Sequence, residues 1–212
     1  MSTTTSAKTL LSFHGDSSIK EKYLQRLHLH RQADEIIQGT GFENGKGCAI
    51  GCTLNKYDHK AFETELGIPL MLARLEDKIF EGLSVEDSKD FPVNFLSSIP
   101  VGKDLSNVWK HFIVWFLVDP EDGVIKFANT ERTKESIIAV ATKFKHSLEH
   151  EVSMEEWIEL RKSAASAASA ASAASAAAYA AADAAYAAAA SAARKKHYKK
   201  MADKIIELLS AA

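Results

Sequence analysis

Leu105-Ser-Asn-Val-Trp-Lys-His-Phe-Ile-Val-Trp-Phe-Leu-Val118 is the most apolar stretch of this 212-residue chain. Leu105, Trp109, Phe112 and Phe116 recur at helical spacing, and Ile113, Trp115 and Leu117 fill most of the remaining circumference. The pattern predicts a helix buried on nearly all sides, the central element of a core. An element of that kind needs other helices around it, and the flanking sequence supplies them.

Downstream, Asp119-Pro-Glu-Asp-Gly123 stops the helix. Val124 to Phe127 reads as a short strand or extended link, and one such segment cannot make a sheet alone. Thr130 opens another helix, with Ile137, Ile138, Ala141, Phe144 and Leu148 as its inward stripe. Upstream, Pro69 stands where a first helical residue belongs. The helix that follows, Leu70 to Glu81, turns Leu72, Leu75 and Ile79 inward and keeps Arg74, Glu76, Asp77 and Lys78 on its wetter side. Ser84 to Asp87 and Asp90-Phe-Pro92 open two further short helices, and Lys60 to Leu66 forms another. Ser18-Ile-Lys-Glu21 is a capping box that starts a helix running to Gly39. Phe13 to Asp16 reads as a turn, and residues 1–12 are small, polar and expected to fray. The fold class is therefore all-α: a multi-helix core, orthogonal or bundle-like, over residues 13–150.

Residues 153–212 form a second segment of different composition. Ser153-Met-Glu-Glu156 is a second capping box. From Ser163 to Ala193 the chain is almost only alanine, with serines at 163, 166, 169, 172 and 175. Alanine is the best helix former, so the spacing predicts a long helix with at most one bend, or a helical hairpin. Tyr179, Asp183 and Tyr186 share one face of it. A basic run, Arg194 to Lys200, leads into Met201, Ile205, Leu208 and Leu209, an amphipathic end expected to dock. The same alanine-rich helix is a candidate for self-association.

Bulk composition excludes several classes. A net charge of −2 with a pI near 6.5 gives no global reason to expect nucleic acid as a partner. Two cysteines do not make a disulfide scaffold. The N-terminus lacks a signal-peptide layout, and no run of 18 strongly apolar residues occurs. A soluble cytoplasmic protein without a membrane partner is expected.

The residues with chemical potential concentrate in Gly45-Lys-Gly-Cys-Ala-Ile-Gly-Cys-Thr53, which holds both cysteines. One reading is an anion-binding loop, with Gly45, Lys46, Gly47, Cys48, Gly51 and Thr53 offering backbone N–H groups and one positive charge to a phosphate. It has neither P-loop nor dinucleotide spacing. A second reading is thiol catalysis, with Cys48 or Cys52 as nucleophile and Lys46 or His59 activating it. A third is close packing, with cysteine as a small hydrophobe. Cys48-x3-Cys52 with His59 and one of His14, His28 or His30 is a poor match to zinc spacing, so no metal centre and no cofactor is expected. His28 and His30, two residues apart, point in opposing directions on a helix. Glu63, Glu65, Glu76, Asp77 and Glu81 form an acidic set that reads first as solvated surface and second as a Mg²⁺ or general-acid site.

Gly45-Lys-Gly-Cys-Ala-Ile-Gly-Cys-Thr53, Glu63-Thr-Glu-Leu-Gly-Ile-Pro69 and Leu72-Ala-Arg-Leu-Glu-Asp77 together resemble a group of uncharacterised bacterial and phage proteins, over most of residues 13–150. Many of those proteins also end in alanine-rich helices, often with Trp where this chain has Tyr179 and Tyr186. The alanine-rich part is similar to that of sequences labelled as immunity proteins. The resemblance implies a role in conflict between bacteria, toxins and phage, and it implies no catalytic residues. The expectation is a non-enzymatic binding protein for a small anionic, nucleotide-like ligand or a protein partner. A thiol enzyme and a helix-mediated oligomer are the alternatives.

Overall fold

A computed structural model describes residues 9–128, 130–162 and 185–212. The choice between one long alanine-rich helix and a hairpin, the spiral of serines, and the shared face of Tyr179, Asp183 and Tyr186 all lie outside the described residues. The protein is mostly α-helical, with a single two-stranded sheet among the described residues. It divides into two compact units. One is the chain up to Trp109 together with Ala202–Ala212; the other is Lys110–Met201. The divide therefore falls inside the apolar helix, whereas the sequence places it after residue 150.

In the first unit, α1 (Ser17–Gln32) packs on α2 (Ala49–Leu54) and α5 (Val85–Ser98). Helix α4 (Leu70–Gly82) packs on α2, α5 and the short α3 (Ala61–Leu66). Helix α1 starts earlier than its capping box suggests, because Asp16 accepts a hydrogen bond from Ser18 N at 2.8 Å and is the N-cap. It also ends well before Gly39. Asp34 turns left-handed (φ 53°), and the next residues pair with Gly47: Gly47 N donates to Glu35 O at 3.0 Å and Ile37 N to Gly47 O at 2.9 Å. Those bonds outcompete another helical turn.

The two short helices expected from Ser84 onward are one. Ser84 caps α5 by accepting from Asp87 N at 3.0 Å, and the helix passes through Pro92. Proline there removes the bond that Ser88 O would accept. Burial of Phe91, Pro92, Phe95 and Leu96 on the same helix compensates.

The expectation of a frayed start fails for the described residues. Leu11 bridges Asp104, and Ser12 is fully buried against the turn at Pro100–Lys103. Its hydroxyl donates to Pro100 O at 2.5 Å and accepts from Lys103 N at 2.9 Å, while its backbone N donates to Lys103 O and its carbonyl accepts from Gly102 N. Ser12→Ala should cost about 1–2 kcal/mol by leaving buried groups unpaired. The exposed Ser97→Ala should stay within about 0.5 kcal/mol. Urea midpoints of the two variants decide this, and equal midpoints would count against the account. The C-terminal segment belongs to this unit, and Ala202, Ile205 and Leu209 are buried in the way the amphipathic end requires.

Helix α6 (Val108–Val118) forms as expected but is not buried on all sides. Leu105, Val108 and Phe112 are buried, while Ile113, Trp115, Phe116 and Leu117 are half-buried. Among the described residues, α2 is buried along its whole length, its Ala49, Gly51, Cys52 and Thr53 being small enough for neighbours to close over them. A helix of bulky side chains has too large a circumference for that.

In the second unit, Asp119 Oδ1 accepts from Glu121 N and Asp122 N, closing the turn after α6. Val124–Phe127 is a 3₁₀ turn rather than a strand or extended link. Thr130 caps α7 (Glu131–His146), and Lys110 Nζ donates to Ser147 O at its far end. The Ser153 capping box is reciprocal: Ser153 N donates to Glu156 Oε2 and Glu156 N to Ser153 Oγ. Its helix, α8, covers described residues 154–162. Phe144 and Trp157 face each other with ring centroids 4.8 Å apart. The C-terminal helix α9 (Ala185–Ser210) is 26 residues, about 39 Å long.

Candidate functional site

The glycine stretch is built as a hairpin feeding a buried helix. Strands β1 (Phe42–Glu43) and β2 (Lys46–Gly47) pair antiparallel, Phe42 opposite Gly47 and Glu43 opposite Lys46. Asn44 (φ 51°) and Gly45 (φ 82°) are both left-handed, the type I′ turn that Asn-Gly favours. Cys48 is the N-cap of α2, and left-handed Asn55 ends it.

The loop uses its donors on its own backbone. Gly47 N goes to Glu35 O, Cys48 N to Thr40 O (2.8 Å) and Gly41 O (3.1 Å), and Cys52 N to Cys48 O. The Thr53 hydroxyl donates to Ala49 O at 2.8 Å. Gly47, Cys48, Gly51 and Thr53 are buried, Gly45 is half-buried with the Glu35 carboxylate beside it, and Lys46 projects into solvent. Of the six positions expected to cradle an anion, Gly47, Cys48, Gly51 and Thr53 are thus enclosed by the fold.

The thiols are equally enclosed. Cys48 is 1% exposed, and burial pushes its pKa up to about 12, with the neighbouring Asp77 charge adding to it against the opposing N–H groups of Gly51 and Ile50. Burial likewise pushes Cys52 up to about 12; its thiol donates to Gly47 O at 3.3 Å and Glu35 O at 3.6 Å. His59 does not bond to either sulfur. Its Nε2 lies 3.0 Å from Asp77 Oδ2, so the carboxylate takes the contact that a thiolate–imidazole pair would need.

What the fold does bring together is a mixed cluster. Cys48 Sγ and one carboxylate oxygen each of Asp77 and Glu81 lie within 4.8 Å of one another. Asp77 and Glu81 are one helical turn apart on α4, so both face the loop. Tyr57 OH donates to Asp77 Oδ2 at 3.0 Å, and its ring meets His59 edge-on with centroids 4.9 Å apart. Both oxygens of Glu81 accept from Gly39 N, at 3.0 and 3.2 Å. Burial raises the Glu81 pKa, opposed by that N–H and reinforced by Asp77. Asp77 Oδ1 is buried with no hydrogen-bond partner. Among the described residues, neither Asp77 nor Glu81 is paired with a lysine or arginine.

Of the sequence candidates, Cys48 and His59 reach this cluster, with Asp77 between them. Cys52, Gly45 and Lys46 do not belong to it. Asp77 and Glu81 belong to the acidic set whose second reading is a Mg²⁺ or general-acid site, and their four-residue spacing marks a shared helix face; Tyr57 is not among the sequence candidates. The histidines from elsewhere are occupied or distant: His30 sits between Glu35 and Asn55, and His14 meets Thr64 O. Glu63 accepts from Leu70 N and Glu65 pairs with Tyr23 and Lys56. No helix of the described residues is long and apolar enough to cross a membrane. No family model, no curated protein and no solved structure matches this chain.

Proposed function

We propose that this is a non-enzymatic binding protein whose ligand enters the cluster of Cys48, Tyr57, His59, Asp77 and Glu81, and that it presents a positively charged group there. The observation that carries the reading is a pair of carboxylates, Asp77 and Glu81, held side by side, with His59 on Asp77 and, among the described residues, no lysine or arginine paired with either. An anionic nucleotide would meet the repulsion of both, and the glycine loop has few free N–H groups with which to offset it. A cation-bearing ligand, small or presented by a protein partner, relieves the repulsion between the two acids. In the setting that the resemblance implies, conflict between bacteria and phage, the role would be recognition rather than turnover.

Thiol catalysis is the weaker reading, because a nucleophilic sulfur needs a lowered pKa and access, and Cys48 and Cys52 have neither. Both thiols should therefore resist iodoacetamide at neutral pH and react once denaturant is added. Labelling of native Cys48 at the rate of a free cysteine would sink the binding reading in favour of the enzyme. Melting temperature against a panel of polyamines, guanidinium compounds, nucleotides and phosphorylated metabolites tests the sign of the ligand. Stabilisation by anions, lost in Lys46→Ala, would restore the phosphate loop.

A further inference from the structure

The geometry points to a divalent transition-metal site, of the zinc class, formed by Cys48 Sγ, Asp77 and Glu81. The inference rests on the cation-binding reading above and names its ligand. Three features favour a metal ion over an organic cation.

The first is the donor set. A sulfur and two carboxylate oxygens, from the N-cap of α2 and one face of α4, lie within 4.8 Å of one another. Ligand atoms around a tetrahedral zinc ion stand about 3.5 Å apart, from bond lengths of about 2.0–2.3 Å. A sulfur ligand selects zinc, cobalt or cadmium over magnesium or calcium, which take oxygen donors.

The second is the unused oxygen. Asp77 Oδ2 accepts from both Tyr57 OH and His59 Nε2, while Oδ1 is buried and has no partner. Cys48 beside it is 1% exposed. The Cys48 thiol acts on the Asp77 carboxylate as a hydrogen-bond donor, but a weak one; a coordinated ion that replaces its proton would meet the buried carboxylate with a positive charge.

The third is the supporting layer. Metal-bound carboxylates are oriented by outer hydrogen bonds. Tyr57 and His59 already hold Asp77, and Gly39 N holds Glu81. The N–H groups of Ile50 and Gly51 act on the Cys48 sulfur. On coordination the Cys48 S–H bond breaks, its electron pair forms the S–metal bond and the proton leaves to solvent. Glu81 is the exposed member of the set, so a bound ion would be open to solvent on that side.

The full-length protein, stripped with a chelator, is titrated with Co²⁺ and with Zn²⁺. Co²⁺ should produce a near-ultraviolet sulfur-to-metal charge-transfer band, and Zn²⁺ should raise the melting temperature by several degrees and displace the Co²⁺ signal. Cys48→Ser should abolish the band. Glu81→Gln should weaken Zn²⁺ at least tenfold, read as the Zn²⁺-induced shift against that variant's own metal-free melting temperature. Absence of both the band and the Zn²⁺ shift overturns the site, as does a band that survives Cys48→Ser or a Zn²⁺ affinity indifferent to Glu81→Gln. If polyamines or guanidinium compounds stabilise the protein while metals do not, the metal assignment fails and the cation-binding reading stands. If neither does, both fail.

Discussion

Gly51→Ala is expected to destabilise the protein by about 3 kcal/mol or more, against the usual direction for glycine in a helix, where alanine gains about 0.5–1 kcal/mol. Gly51 lies within α2, buried along its whole length. A Cβ there would stand 1.9 Å from Gly41 O, 2.9 Å from Gly41 C and 3.0 Å from Phe42 Cβ. Two of those atoms are backbone and cannot rotate aside. Gly41 cannot retreat either, since the Tyr57 ring closes on it from the other side: a Cβ on Gly41 would be 2.7 Å from Tyr57 Cγ. Helix α2, Gly41 just before β1 and the residue that orients Asp77 are thus stacked in direct contact. A shift at Gly51 propagates to Cys48 at the start of the helix and to Tyr57. Gly45→Asn is the contrast. Gly45 needs its left-handed φ of 82°, which asparagine tolerates, and only the end of the Glu35 side chain approaches at 3.8 Å. Its cost should be about 1 kcal/mol or less. Chemical denaturation of both variants separates steric from conformational demand. A Gly51→Ala protein as stable as the parent would mean that the two backbones do not touch.

The glycine window was legible as the place where backbones crowd, and of its three readings the close-packing one matches what Gly41, Gly47 and Gly51 do. Asn44-Gly45 carries the hairpin-turn signal by itself. The flanking strands are two residues each, too short to show a period. Helix class and the cap at Ser153 were readable because they depend on residues three or four apart. The end of α1 was not, because Ile36 and Ile37 keep a helical spacing that is overridden by Gly47, a partner from a later segment. The cluster is hidden for the same reason. Asp77 and Glu81 show themselves as helix neighbours, but their meeting with Cys48 depends on how α4 lies against α2. The burial of α6 was overestimated because apolar content says how much a helix can bury, not how much surface its neighbours offer.

Glu76 is the clearest case in which spacing held the answer and residue type concealed it. It stands four residues after Leu72 and three before Ile79, inside the apolar stripe, yet reads as surface because it is a carboxylate. It is 1% exposed, and its Oε2 has no hydrogen-bond partner. Burial, then the charge of Asp77, raises its pKa well above the ordinary 4.5. Glu76→Met, similar in length and free of polar atoms, is therefore expected to stabilise the protein by about 2–3 kcal/mol near neutral pH. The pH dependence follows from linkage. Between the ordinary carboxyl value and the raised folded value, the folded protein keeps a proton that the unfolded chain has released. Stability contributed by that protonated carboxyl is present below the ordinary value and is lost as pH rises through the window. The methionine variant lacks this slope, so its advantage should shrink to about 1 kcal/mol near about pH 3, well below the ordinary carboxyl value, where both states hold the proton. Denaturation with chelator present, at several pH values, measures both quantities free of any ion at Asp77. A methionine variant less stable than the parent at neutral pH would mean that the Glu76 carboxyl has a partner, and that its place in the stripe is a requirement of the fold.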